Sequence, residues 1–199
     1  MKIYQPLKPF IIIQRFGENK ACINSDFQTT GNIKIIGCDG NNPPEGYRSV
    51  YGSKGHTGLD LVAYHGQEVY CVLDGIVDFI DANPKSGLDV RIVSEVSGKK
   101  YRHVYEHLLG YQPQKGVKIS TGQIVGWADN TGYSSGDHLH FQLEEWLNEV
   151  WVPVNPEPFI ANIFAKDILS LENSLKYVSE QVALLMDRVA SFLRDRSFK

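Results

Sequence analysis

The sequence predicts a mainly β fold, an antiparallel, folded-over, barrel-like sheet followed by a long C-terminal α-helix. Two observations carry this. Short strand-like runs recur from His56 onward, separated by turn signals such as Asn83-Pro84-Lys85-Ser86-Gly87 and Ser97-Gly98-Lys99. After Val154-Asn155-Pro156-Glu157-Pro158 the apolar period changes from that of a strand to that of a helix. The boundaries that follow are a sheet domain over residues 1–160, with a long irregular loop region at 17–55, and an amphipathic helix within 161–199, a possible coiled coil. No internal repeat is visible.

Taken in order, residues 8–16 read as one apolar strand ending at Gln14-Arg15-Phe16-Gly17. Residues 17–55 are rich in Gly, Asn, Asp and Pro and read as a loop with one short strand, Asn32 to Ile36. A loop of that length is either a wall of a functional cleft or a tolerated insertion. Glu68 to Leu73, the hairpin signal Asp74-Gly75, and Ile76 to Ile80 follow. Leu88 to Val96 and Lys100 to Leu108 are the next two strands, and Val117 to Ala128 is bent at Gly122 and Gly126. His138 to Leu143 is the last core strand. Beyond it, Ile168, Leu171, Leu175, Val178, Val182, Leu185, Val189 and Phe192 alternate spacings of three and four, with Asp167 or Ser170 available as N-cap. This a/d seam allows two readings: packing on the chain's own sheet, or joining identical helices.

Composition narrows the function classes. The chain has 199 residues, 42% hydrophobic and 22% charged, with a net charge of −3, so no basic excess points to nucleic acid. No run reaches the length of a membrane span, and Met1-Lys2-Ile3-Tyr4-Gln5-Pro6 has no apolar signal region. The expectation is action without classical secretion, or a leader already removed. Cys22, Cys38 and Cys71 are too few and too scattered for a disulfide framework or a cysteine-based zinc site. Cys71 reads as a core residue, and Cys22 and Cys38 could pair without anything requiring it.

The chemistry is concentrated in His138-Leu139-His140-Phe141 and His56-Thr57-Gly58-Leu59-Asp60. Residues two apart on a strand share a face, so His138 and His140 point one way; His56 and Asp60, four apart, share a strand face too. Two imidazoles and one carboxylate from two strands make a three-ligand site with an open fourth position, which is how a catalytic zinc is held. Tyr101, His103, Tyr105 and His107 alternate and should share one face, with His107 at the strand end, where catalytic loops gather, and His103 solvated or packed on tyrosines. His65, in Tyr64-His65-Gly66, reads as a surface residue.

His56-Thr57-Gly58-Leu59-Asp60, Tyr105-Glu106-His107-Leu108 and His138-Leu139-His140-Phe141 resemble the three signatures of the lysostaphin/LytM-type zinc endopeptidases of peptidoglycan. Gly66 to Leu73 with Asp74-Gly75-Ile76-Val77, Gly122-Gln123-Ile124-Val125-Gly126, and Asn130-Thr131-Gly132-Tyr133-Ser134-Ser135-Gly136 resemble that family's spacer elements. Phe16-Gly17 and Val154-Asn155-Pro156 match its opening and closing marks, so the resemblance covers residues 8–158. It implies one Zn²⁺ held by His56, Asp60 and His140, a catalytic pair His107 and His138, and Tyr51 as a further transition-state contact. It also implies a bacterial peptidoglycan peptide as substrate. Which of the two histidines is the base, and which bond is cut, the resemblance leaves open.

Three positions depart from the family's pattern: Asp137 where proline is common, Leu88-Asp89 where glycine and asparagine are common, and the long 17–55 segment. Two other readings compete with an active endopeptidase. A non-catalytic LytM-like module that binds wall or activates a hydrolase would be expected to lack ligands that this chain keeps. A zinc D,D-peptidase would have a longer gap between its first His and its Asp. A substrate outside the membrane without a visible leader suggests a phage-encoded or virion-associated protein. The 168–192 helix would then serve a homo-oligomer or a larger assembly such as a phage particle.

Overall fold

The computed structural model describes residues 1–18 and 55–196. Its strands are β1 (Ile3–Gln5), β2 (Ile12–Gln14), β3 (Leu59–Val62), β4 (Glu68–Tyr70), β5 (Gly75–Asn83), β6 (Gly87–Val96), β7 (Lys99–Tyr111), β8 (Lys118–Ile119), β9 (Ile124–Ala128), β10 (His138–Leu147), β11 (Val150–Val154) and β12 (Ile160–Phe164). A single helical turn, Glu157–Phe159, precedes β12, and the long helix α1 runs from Ala165 to Arg196. Ten of the strands form one antiparallel sheet with the path β2-β3-β10-β7-β6-β5-β8. From this path β11 branches off β10, while β9 branches off β7 and carries β4. The mainly β, antiparallel expectation holds, but β2 and β8 remain edges, so the sheet is not a closed barrel.

The middle of this sheet positions the site. β10 lies between β3 and β7, with Asp60, His140 and Glu106 in one cross-strand row. The alternate residues Leu59, Leu61, Leu139, Phe141 and Tyr105 are fully buried and form the core on the other face.

Several boundaries differ from the sequence expectation, each for a local reason. The apolar run at 8–16 contributes only Ile12–Gln14, and Pro9 near its start lacks the N–H that a ladder needs. Asp74-Gly75 does not close a hairpin: β4 pairs with β9, and β5 with β6 and β8. The Asp74 carboxylate instead accepts the Thr121 N–H (2.6 Å) and hydroxyl (2.8 Å), tying together the two halves of the 117–128 run, which splits into β8 and β9. β1, β11 and β12 lie outside every expected strand, and β1 and β12 form a separate parallel pair. α1 begins at Ala165, so Asp167 and Ser170 lie inside its first turns rather than capping it.

Of the two readings for the helical stripe, packing on the sheet is seen, among the described side chains, at the start of α1, where Ala165 is fully buried and Leu169 packs on the Gly122 turn. Leu171, Leu175, Val178, Val182 and Leu185 are exposed. No helix among the described residues is long and apolar enough to cross a membrane. Cys71 is a buried free thiol, as expected. Cys22, Cys38, Tyr51 and the Asn32–Ile36 strand lie outside the described residues.

Candidate metal centre and catalytic histidines

Three ligand-type atoms from three side chains meet beside the central strands. His56 Nε2 lies 3.0 Å from Asp60 Oδ1 and 3.0 Å from His140 Nδ1, and His140 Nδ1 lies 2.9 Å from Asp60 Oδ1. All three residues are buried. His138 Nε2 stands 3.6 Å from the same carboxylate oxygen.

The route to this convergence differs in part from the sequence reading. His138 and His140 do share a face of β10, but His56 does not lie on a strand with Asp60, because β3 begins only at Leu59. The segment ahead of β3 is held by backbone bonds to the N-terminal stretch: Gly17 N–H to the His56 carbonyl (2.8 Å) and His56 N–H to the Glu18 carbonyl (3.2 Å). The ring follows suit, since His56 Nδ1 lies 3.0 Å from the Arg15 carbonyl, which can only accept. The proton therefore sits on Nδ1, and Nε2 turns a lone pair toward Asp60 and His140.

His107 departs further from expectation. Strict alternation would leave it on the core face with Tyr101, His103 and Tyr105. It also lies within β7, which continues to Tyr111, rather than at the strand's end. The β6–β7 register slips by one residue between the Val90–Tyr105 and Leu88–Leu108 pairs, and His107 takes a positive φ of 62°. That bulge re-aims the side chain from the core to the site. The ring then packs against His138 (centroids 4.7 Å apart) and His140 (6.1 Å). His103 stays in the core, edge-on to Tyr105, and is packed on a tyrosine rather than solvated.

Both histidines beside the triad have fixed tautomers. His107 Nδ1 lies 2.7 Å from the Thr131 carbonyl, and His138 Nδ1 lies 2.8 Å from the Gly136 carbonyl and 3.1 Å from Ser134 Oγ. Each Nδ1 carries the proton, leaving Nε2 as a potential proton acceptor. Burial and the neighbouring His138 and His140 push the His107 pKa down to about 4, against the pull of the Thr131 carbonyl and Glu106. His107 is thus neutral at pH 7. Burial raises the Asp60 pKa, but His140 and His56 beside it outweigh this and hold the carboxyl well below its usual range. Burial likewise lowers the His140 pKa, and the Asp60 bond together with the Glu106 charge more than reverses this.

The donor set fits zinc. It offers two imidazole nitrogens and one carboxylate oxygen, borderline donors of the kind zinc prefers. Ligands at about 2.0–2.1 Å in tetrahedral array stand roughly 3.3 Å apart, close to the spacing here. Three donor atoms this close and away from water are placed as a shared cation would need them. A second histidine–aspartate group, His65, Asp129 and Asp137, is partly to fully exposed. His65 and Asp129 pair there at 2.7 Å, and His65 is on the surface as expected.

A cleft of about 370 Å³ opens beside His107 and His140, lined also by Lys85, Arg91, Glu106 and Tyr133. Arg91 is fixed in its wall by a two-point bond to buried Asp89 (3.0 and 3.1 Å) and by the Phe79 ring 4.6 Å below its guanidinium. The sequence reading noted Asp89 only as a departure from the family's pattern and did not single out Arg91. Arg15, Thr131 and Gly136 stand in runs quoted from the sequence but carry no expected role there, because their contribution is a backbone carbonyl and leaves no mark in side-chain chemistry.

The profile of peptidase family M23 matches residues 54–156, just over half of the chain. The chain belongs to peptidase family M23. A glycyl-glycine endopeptidase, ALE-1, of Staphylococcus capitis is 35% identical over 88 residues, covering 44% of this chain and 24% of that protein. The peptidoglycan DD-endopeptidase ShyA of Vibrio cholerae is 38% identical over 88 residues, covering 44% of this chain and 20% of that one. This M23 chain thus matches only about a quarter or less of the length of those relatives. Among solved structures, a zinc-containing peptidase from Vibrio cholerae shares the fold with a TM-score of 0.54 at 21% identity, covering 82% of this chain and 41% of that chain.

Proposed function

We propose that this M23 chain is a zinc-dependent endopeptidase that hydrolyses the peptide cross-links of bacterial peptidoglycan. In this reading His56, Asp60 and His140 hold the metal, and His107 and His138 handle protons. One observation carries the reading: three donor atoms converge within 3.0 Å beside two histidines whose Nδ1 protons are already committed to carbonyl oxygens. The substrate rests on the relatives, one named as a glycyl-glycine endopeptidase and one as a peptidoglycan DD-endopeptidase.

Zinc in this set would supply a Lewis acid and bring the pKa of water down to about 7. The chain's own residues do the rest. One of His107 and His138 takes the proton of the attacking water at Nε2 and later gives it to the leaving amine. The other hydrogen-bonds the carbonyl oxygen as it gains charge, a role that needs a second proton, on Nε2, beside the one held at Nδ1. The two rings are close enough to serve one scissile bond. The cleft beside them accommodates the peptide, and Tyr51 remains a candidate further contact.

The test is zinc content together with digestion of purified sacculi, wild type against His140→Ala. The reading expects about one zinc and new amino termini from wild type, and neither from the variant. Zinc binding with no wall type cut would favour the competing reading, a wall-binding or hydrolase-activating module. No zinc binding would overturn the assignment of His56, Asp60 and His140 as ligands. We take residues 1–160 as the peptidase unit and 161–199 as an appendage. The exposed stripe on α1 supports self-association or attachment to a larger assembly such as a phage particle. Sedimentation of the chain with and without Leu175→Glu checks the first of these.

A further inference from the structure

The side of the sheet that carries the candidate metal centre continues past the cleft. β10 and β7 pair in regular register from His140 to Glu145, so His140, Gln142, Glu144 and Trp146 all stand on that side. Trp146 faces Trp151 across the β10–β11 pair, with ring centroids 4.9 Å apart and planes tilted by 59°. The Arg102 guanidinium lies 4.7 Å from the Trp151 ring centre and is held by the buried Glu144 carboxylate, so Trp151 is backed by a fixed cation. Trp146 is 40% exposed. The two rings, with Ile76, Val93, Asp78 and Lys100, line an open depression of about 410 Å³.

A cross-strand aromatic pair stabilises a hairpin without any ligand. That role is served by buried rings, whereas here indole surface faces water inside a depression. An occupant that fits must offer a flat apolar face and carry hydrogen-bonding groups at its edge. It should also have no strong net charge, because the lining sets one carboxylate, Asp78, against one ammonium, Lys100. A pyranose ring meets all three conditions. Its axial C–H bonds form an apolar, slightly positive face that packs on the negative face of an indole. Its hydroxyl and acetamido groups donate to a carboxylate and accept from an ammonium. An apolar peptide side chain would leave Asp78 and Lys100 unused.

The spacing agrees with such an occupant. Six residues separate His140 from Trp146, about 20 Å along a strand at roughly 3.3 Å per residue. In peptidoglycan a cross-link and the nearest sugar stand at opposite ends of one stem peptide. About four or five residues of extended chain span about 13–18 Å, and the side chains at either end cover the remainder.

We infer that Trp146 and Trp151 form a sugar-binding platform that seats the glycan strand while the stem peptide runs back along β10 to the cleft. The choice of occupant rests on the peptidoglycan reading above and extends it from the peptide to the sugar that bears it. Arg102 acts as a positioning residue, holding Trp151 upright.

The first test titrates the full chain and its Trp146→Leu, Trp146→Phe and Trp151→Leu variants with an uncharged β-1,4-linked oligomer of N-acetylglucosamine, read by tryptophan fluorescence and calorimetry. Wild type should bind saturably. Leucine keeps apolar bulk but has no π-face, and each leucine variant should weaken binding about tenfold. Trp146→Phe keeps a π-face and should stay within a few-fold of wild type. Thermal melts of each variant run alongside, and Trp146→Leu decides where Trp151→Leu fails to fold. The second test compares digestion of sacculi with cleavage of cross-linked peptides already stripped of sugar. Trp146→Leu should slow the first about tenfold and leave the second unchanged.

No saturable binding by wild type, or Trp146→Leu binding the oligomer as well as wild type, overturns the inference. Equal slowing on both substrates overturns it too, since the platform would then act without the sugar. A wild-type dimer that Trp146→Leu turns into a monomer would make this face an interface between copies and likewise overturn it. Wild type that binds the oligomer but cuts neither substrate would overturn the endopeptidase reading and leave the platform standing.

Discussion

His107 Nδ1 lies 2.7 Å from the carbonyl oxygen of Thr131, so the side chain proposed to handle protons is oriented by the backbone of a distant loop. That loop is stitched in place from both sides. Thr131 Oγ1 donates to the Leu108 carbonyl (2.9 Å) and accepts the Leu88 N–H (3.2 Å), while Tyr133 N–H reaches the Lys85 carbonyl (2.9 Å). The approach is close enough to require glycine. A Cβ on Gly132 would stand 2.1 Å from the Gly87 nitrogen, and the φ there is +76°. Gly132→Ala should therefore displace the Thr131 carbonyl and loosen the His107 ring. The expected result is a fall in kcat of about 100-fold, with zinc content unchanged. Sacculus digestion and metal analysis on one preparation check both halves.

The proposed division of labour between ligands and proton carriers separates two sets of variants. His56→Ala, Asp60→Asn and His140→Ala each remove one of three donor atoms and should lose zinc along with activity. His107→Ala and His138→Ala leave the triad whole. They should keep about one zinc and lose a factor of about 10²–10⁴ in turnover. Loss of zinc in His107→Ala would move that residue into the ligand set.

Gly58 tests how closely β3 must approach β10. A Cβ there would lie 2.4 Å from the Phe141 carbonyl oxygen and 2.9 Å from His140 Nε2. Alanine would have to part the two strands that carry Asp60 and His140. Gly58→Ala is expected to destabilise the fold by about 1–3 kcal/mol and to weaken zinc binding, as read by urea unfolding and chelator competition. Gly98→Ala, in a turn where a Cβ meets nothing within 4 Å, is the control for Gly132→Ala, which likewise adds a methyl at a positive φ (+74° against +76°).

What the sequence made legible follows from how each feature is encoded. Alternation in His138-Leu139-His140-Phe141 placed both histidines on the polar face of a strand, because side-chain direction there depends only on the pleat. The same rule failed at His107, since one extra residue in a bulge reverses the parity and no side chain announces it. His56 and Asp60 converge although His56 precedes the strand, because backbone bonds to Gly17 and Glu18 supply the geometry. The Asp74-Gly75 hairpin failed for a related reason: the aspartate's acceptors were taken by Thr121, far along the chain. Turn chemistry is local, whereas partner choice between strands is not.

His103 makes a prediction about acid stability. It is fully buried, and its two nitrogens sit in a directed chain. Ser94 Oγ donates to the Asp74 carbonyl (2.6 Å) and so accepts from His103 Nε2 (2.8 Å). Tyr105 accepts the Val72 N–H (3.1 Å) and donates its own hydroxyl proton to His103 Nδ1 (3.1 Å). The ring is therefore held neutral, and burial pushes its pKa from the ordinary 6.5 down to about 3. Between those two values the unfolded chain binds a proton that the folded chain refuses. Stability should thus be fully present above pH 6.5 and decline as the pH falls toward 3. One such group contributes up to about 1.4 kcal/mol per pH unit across that window. His103→Leu should cost about 1–3 kcal/mol at pH 7, where it leaves the Tyr105 hydroxyl without its acceptor. It should also flatten the slope of unfolding free energy against pH by about one proton between pH 4 and 6. Urea unfolding of metal-free wild type and variant at several pH values measures both effects. Equal slopes would show that His103 carries a proton in the folded protein.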